Sequence, residues 1–144
     1  MRRASAAALL AGPIILAGGQ PGRAQSANQP VLLQRTVPRD AETRVASEAA
    51  YKTYDGTTCL VRYLPTIQLV VPPQHGTVRF DTADVGVPAG SGCRNSVTGT
   101  VVLYRPNAGF IGKDQFTYKT QVDPVAMDRL GPGNPLHSLT VMVQ

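Results

Sequence analysis

The sequence predicts an all-β protein assembled from short antiparallel strands, and three observations carry that expectation. Apolar and polar residues alternate with a period of two in several runs, as a half-buried strand requires. Those runs are rich in Val, Thr, Tyr and Phe. Breakers punctuate the chain at short intervals, drawn from 14 Gly and 12 Pro in 144 residues.

In chain order, "VLLQRTV" (31–37) is the first strand. The next stretch, "DAETRVASEAAYKTY" (40–54), reads two ways. Ala41, Val45 and Ala49 recur at helical spacing with Asp40 as a cap, while Thr43, Val45 and Ser47 make an equally regular strand. "YDGTT" is a turn. In "IQLVV", Ile67, Leu69 and Val71 share a face, and the apolar Val70 between them predicts a strand buried on both sides. Pro72-Pro73-Gln74-His75-Gly76 ends that strand and starts "GTVRF", where Val78 and Phe80 alternate with Thr77 and Arg79. A long irregular connection, "VGVPAGSGCRNS", leads to "GTVVLY" (99–104), again apolar on both faces. Phe116 and Tyr118 alternate with Gln115, Thr117 and Lys119, and Leu139, Val141 and Val143 alternate with Ser138, Thr140 and Met142. No repeat of 20 to 50 residues is present, which argues against a solenoid.

The amino end has the three zones of a secretory signal: Met1-Arg2-Arg3, the apolar run from Ala4 to Gly19, and Gly22 and Ala24 before a cut at Gln25. The apolar run is shorter than the roughly 20 residues a spanning helix needs, so no stable membrane insertion is expected after cleavage. The expected organisation is a signal over 1–24 and a single domain over 25–144, secreted or periplasmic. Arg2, Arg3 and Arg23 leave with the signal, so 11 Lys+Arg then face 9 Asp+Glu. The basic pI therefore belongs partly to targeting and gives no case for nucleic acid. An oxidising compartment makes Cys59 and Cys93 a disulfide pair. Closing a loop of about 35 residues stabilises the fold by roughly 3–4 kcal/mol in the chain-entropy picture.

One segment is more closely specified than any other: "YRPNAGFIGKDQFTYK", from Tyr104 to Lys119. Pro106 cannot donate to a ladder and ends a strand. Asn107, Gly109 and Gly112 accept bends that other residues resist. Phe110 can plug the corner, Asp114 can accept backbone N–H bonds, and Phe116 and Tyr118 point inward. With "PPQHGTVRF" before it and "LTVMV" after it, the pattern resembles bacterial immunoglobulin-like and cadherin-like modules of secreted and surface proteins. The matching positions are Pro73, Gly76, Thr77 and Val78; Tyr104, Pro106, Phe110, Gly112, Asp114, Phe116 and Tyr118; and Thr140, Val141 and Val143.

The resemblance implies an immunoglobulin-like antiparallel β-sandwich of about seven strands, and it tips residues 40–54 toward strand. It also implies that Tyr118 is a tyrosine corner, its hydroxyl bonding upstream backbone. The antibody pattern is not followed throughout: Trp is absent, and Thr120 stands where a second core cysteine would be. The Cys59–Cys93 bridge is therefore expected to clamp a loop rather than pin the core.

Catalytic and metal chemistry find few footholds. His75 and His137 have no short-spaced ligand partners. Asp81, Asp84 and Asp123 are the only candidates for calcium, and no EF-hand loop is present. Ser91 in "AGSGC" is not a nucleophile elbow. No cofactor and no catalytic residue is expected. The function implied is a non-catalytic module for protein binding, adhesion or envelope structure, with a protein or an envelope polysaccharide as partner. The alternatives are a calcium-dependent surface module and a small secreted hydrolase. A binding surface, if there is one, is expected on the two long loops. These are "DVGVPAGSGCRNS", braced by Cys93, and "DPVAMDRLGPGNPLH", whose Met127 and Leu130 either form a contact patch or, the more ordinary role, cap the end of the core.

Overall fold

The computed structural model describes residues 29–121 and 135–144. The signal segment, Asp123, Met127 and Leu130 lie outside the described residues. Nine strands and no helix make up the described chain. In order they are β1 (Val31–Val37), β2 (Thr43–Glu48), β3 (Ala50–Thr53), β4 (Cys59–Tyr63), β5 (Thr66–Val71), β6 (Gly76–Val85), β7 (Val97–Pro106), β8 (Gly112–Gln121) and β9 (Leu136–Val143). The two strands beyond the expected seven are accounted for by β3 and β4, which form a small ribbon of their own.

A four-stranded sheet runs β1-β9-β8-β5 and a three-stranded sheet runs β2-β7-β6, with β3-β4 beside them. The two larger sheets pack into a β-sandwich. Its core is Val37, Tyr118, Phe116, Leu139, Val141 and Val143 from the larger sheet against Val45, Val102 and Tyr104 from the smaller. Phe116 and Tyr118 are 0% exposed. The alternation read from their sequence is what buries them, because residues i and i+2 of a strand share a face. The same period buries Leu139, Val141 and Val143 and leaves Met142 in solvent.

Residues 40–54 are strand, not helix: β2 pairs antiparallel with β7, and β3 with β4. Three expectations need correction. The ladders are not all antiparallel, since β1 runs parallel to β9 from Val31↔His137 to Val37↔Val143. β5 is not buried on both sides. It is an edge strand whose register shifts between Leu69 and Val71, and Val70 and Val71 are about half exposed. The third concerns Tyr118 and is taken up with its partners below. By contrast β7, the centre of its sheet, does bury neighbouring residues on both faces: Val101 and Val102 are both buried.

Candidate interaction surface

The corner that the sequence specifies closes on a carboxylate. Pro106 is the last residue of β7, and the chain then turns with Phe110 N–H donating to the Asn107 carbonyl (3.0 Å). Gly109 occupies the third turn position at φ 73°, a conformation glycine adopts without strain. Gly112 opens β8 at φ 132°. Two residues on, buried Asp114 accepts N–H bonds from Gln74 (3.1 Å), His75 (3.0 Å) and Gln115 (2.8 Å) and the hydroxyl of Tyr104 (2.9 Å). Burial pushes the Asp114 carboxyl up, but those donors outweigh it and hold the group below its ordinary range. Burial likewise raises the Tyr104 phenol, helped by the carboxylate beneath it. Phe110 packs on the core and stacks on the His75 ring (centroids 4.3 Å apart). Gly76 is required here: a Cβ would lie 2.5 Å from the Tyr104 ring.

It is thus Tyr104, not Tyr118, that turns back to the upstream loop, its hydroxyl also 3.4 Å from the His75 carbonyl oxygen. Tyr118 instead donates to Glu48 Oε1 (2.9 Å), bridging β8 to β2. The reason is positional. Tyr104 stands two residues before the end of β7, at the corner, whereas Tyr118 lies six residues into β8, where an inward side chain meets β2 of the opposite sheet.

His137 stacks on Tyr118 (4.7 Å) with Nε2 3.6 Å from Glu48 Oε1. The residue is 8% exposed, and neither ring nitrogen has a hydrogen-bond partner among the described residues. Burial holds its pKa below the usual 6.5, opposed by the Glu48 charge. His137 and Glu48 line a groove of about 400 Å³ between β1 and β2, together with Arg35 and Arg44. Both arginines are engaged with backbone: Arg35 Nε with the Val45 carbonyl (2.9 Å), Arg44 with that of Asp84 (3.2 Å).

The calcium candidates are not brought together. Asp81 and Asp84 are three residues apart on β6 and so face opposite ways. Asp81 is bound by Arg79 (2.8 Å) and its charge is further committed to the Thr82 amide. Among the described residues, no three His, Cys, Asp or Glu side chains converge.

The β3–β4 ribbon is the feature built differently. A two-stranded ribbon is marginal by itself, and this one is fastened at its turn. Cys59, the buried first residue of β4, is bridged to Cys93 in the β6–β7 connection. Asn95 brackets the same residue, accepting from Cys59 N–H and donating to its carbonyl (2.9 Å each). Arg94 N–H donates to the Thr57 carbonyl (2.7 Å). Asp55 caps the turn, bound by the amides and hydroxyls of Thr57 and Thr58, which hold its pKa at about 2. The bridge clamps a loop, as the sequence implied.

What the clamp holds out is apolar and cationic. Lys52 pairs opposite Leu60, so the two share a face. Leu60 is 52% exposed and Tyr54, at the turn, 79%. Val61 is exposed too, and a register shift falls at the next residue, Arg62. No family model, curated protein or solved structure matches the chain.

The ribbon was missed in the sequence. "CLVRYLP" carries no hydrophobic alternation, because its apolar residues fall on both parities and Leu60 and Val61 are both exposed; the one available signal was the cysteine at its head. His137 had a clear signal, its parity with Leu139, which places it on the inward face.

Proposed function

We propose that this chain is an exported, non-catalytic, immunoglobulin-like module that binds a protein partner in the bacterial envelope or outside the cell. The observation that carries the reading is the ribbon. A covalent bridge and a bracketing asparagine secure a hairpin whose exposed side chains include Tyr54, Leu60 and Val61. Exposed strand edges are ordinarily kept short or covered, so a fastened ribbon with apolar residues outward fits a contact surface. The polar clusters elsewhere serve the fold: Asp114 is used up by its own corner, and Glu48 by Tyr118. A disulfide also suits an oxidising compartment, and among the described residues no helix is long and apolar enough to cross a membrane.

The test is a pull-down from envelope extract with the parent protein and a Tyr54→Ser/Leu60→Ser variant. A protein retained by the parent and released by the variant is the expected result. Equal retention would move the surface away from the ribbon. Turnover in a broad hydrolase screen by the purified chain would overturn the non-catalytic reading.

A further inference from the structure

The charge on the ribbon says what kind of protein fits it. Lys52 and Arg62 lie along it, and Arg94 sits at its fastened end; all three side chains are exposed and have no hydrogen-bond or ion-pair partner among the described residues. The ribbon's one acid, Asp55, is satisfied by its own turn. Some exposed charge elsewhere is paired, as in the Arg79 fork on Glu42 and Asp81. Exposed Arg105 on β7 and Lys113 on β8 also lack a hydrogen-bond or ion-pair partner among the described residues, but they do not lie on the ribbon. Unpaired positive charge thus surrounds exposed Leu60 and Tyr54.

We infer that the ribbon binds an extended acidic segment of a protein partner, with carboxylates alternating with apolar side chains. This rests on the protein-binding reading above. Each half of the surface selects one feature of the segment. Leu60 and Tyr54 need apolar contact to leave water. Lys52, Arg62 and Arg94 supply the complementary charge that steers and orients an acidic chain. Extension follows from spacing. Alternate residues of an extended segment stand about 7 Å apart on one face, the same spacing that strand geometry gives along the ribbon. A second copy of this chain is a poor occupant, because ribbon-to-ribbon pairing sets lysine and arginine against their like. An anionic polysaccharide answers the cations but offers no apolar side chain to Leu60.

The test uses a random dodecapeptide display library selected on the immobilised protein, followed by affinity measurements on the recovered peptides. Peptides alternating Asp or Glu with apolar residues should be enriched. Their affinity should fall about tenfold or more in Lys52→Glu/Arg62→Glu, at an unchanged melting temperature, and should weaken several-fold between 50 and 300 mM salt, since exposed charges are screened over about 10 Å at 0.1 M. Enriched peptides without excess acid, or bound equally by the charge-reversed protein, overturn the inference and leave the ribbon reading standing. Peptides bound equally by Tyr54→Ser/Leu60→Ser overturn both. A library that yields nothing, whether or not polygalacturonate binds, overturns the acidic-segment inference.

Discussion

Tyr104 and Tyr118 are both fully buried with their hydroxyls on carboxylates, yet the two carboxylates are held in opposite ways. Asp114, under Tyr104, collects three backbone amides besides the phenol. Glu48, under Tyr118, has that phenol as its hydrogen-bond donor and His137 alongside, whose ring nitrogens have no hydrogen-bond partner among the described residues. A charge ringed by fixed amides is a structural pin. A charge beside a titratable ring makes the same sandwich responsive to acid.

The sharpest break of this comparison is to remove each carboxylate. Asp114→Ala strands three amides and a buried hydroxyl, and should cost about 3–4 kcal/mol in urea unfolding. Glu48→Ala should cost roughly 1–2 kcal/mol, because it strands one phenol. Equal losses would end the distinction. Next in size, Tyr118→Phe should cost roughly 1–2 kcal/mol and leave Glu48 to His137 alone. A smaller pH effect follows from His137, which faces Glu48 on β2 and Tyr118 on β8, with Arg35 on β1 near the groove. Its folded pKa lies below 6.5, so the unfolded chain takes up the proton first. Stability from this group is present above pH 6.5 and lost as pH falls through the folded value. Melting temperature should drop on acidification from pH 7.5 to 5.5, and less so in His137→Phe. For Asp114 the loss should come only below its ordinary value of 3.8, since its pKa is also depressed. The smallest effect expected is a gain. Thr120 Oγ1 is buried without a partner among the described residues, and Thr120→Val should stabilise by up to about 1 kcal/mol.

The same contrast marks what could be read in the sequence. The requirements of the corner are local: a missing donor at Pro106, positive φ at Gly109 and Gly112, a period of two through Phe116 and Tyr118. Local demands leave local traces, and these were legible. Which tyrosine reaches which carboxylate depends on sheet order, and sheet order is decided by residues far apart in the chain. For the same reason Val70 and Val71 looked buried: nothing in "IQLVV" marks it as an edge. The ribbon was hardest to see, because in β4 apolar residues fall on both parities and leave no hydrophobic period to betray it.

The parallel seam of β1 with β9 also bears on how the molecule is made. Its partners, Val31 with His137 through Val37 with Val143, are more than a hundred residues apart, so this contact closes the longest loop in the fold. Until β9 has been synthesised and docked, β1 has no ladder to join; until β1 arrives, β9 presents a bare row of donors and acceptors. Two chains folding side by side at high concentration would each find the other's first strand an acceptable substitute, which makes exchange of β1 between copies the characteristic misassembly of this sandwich.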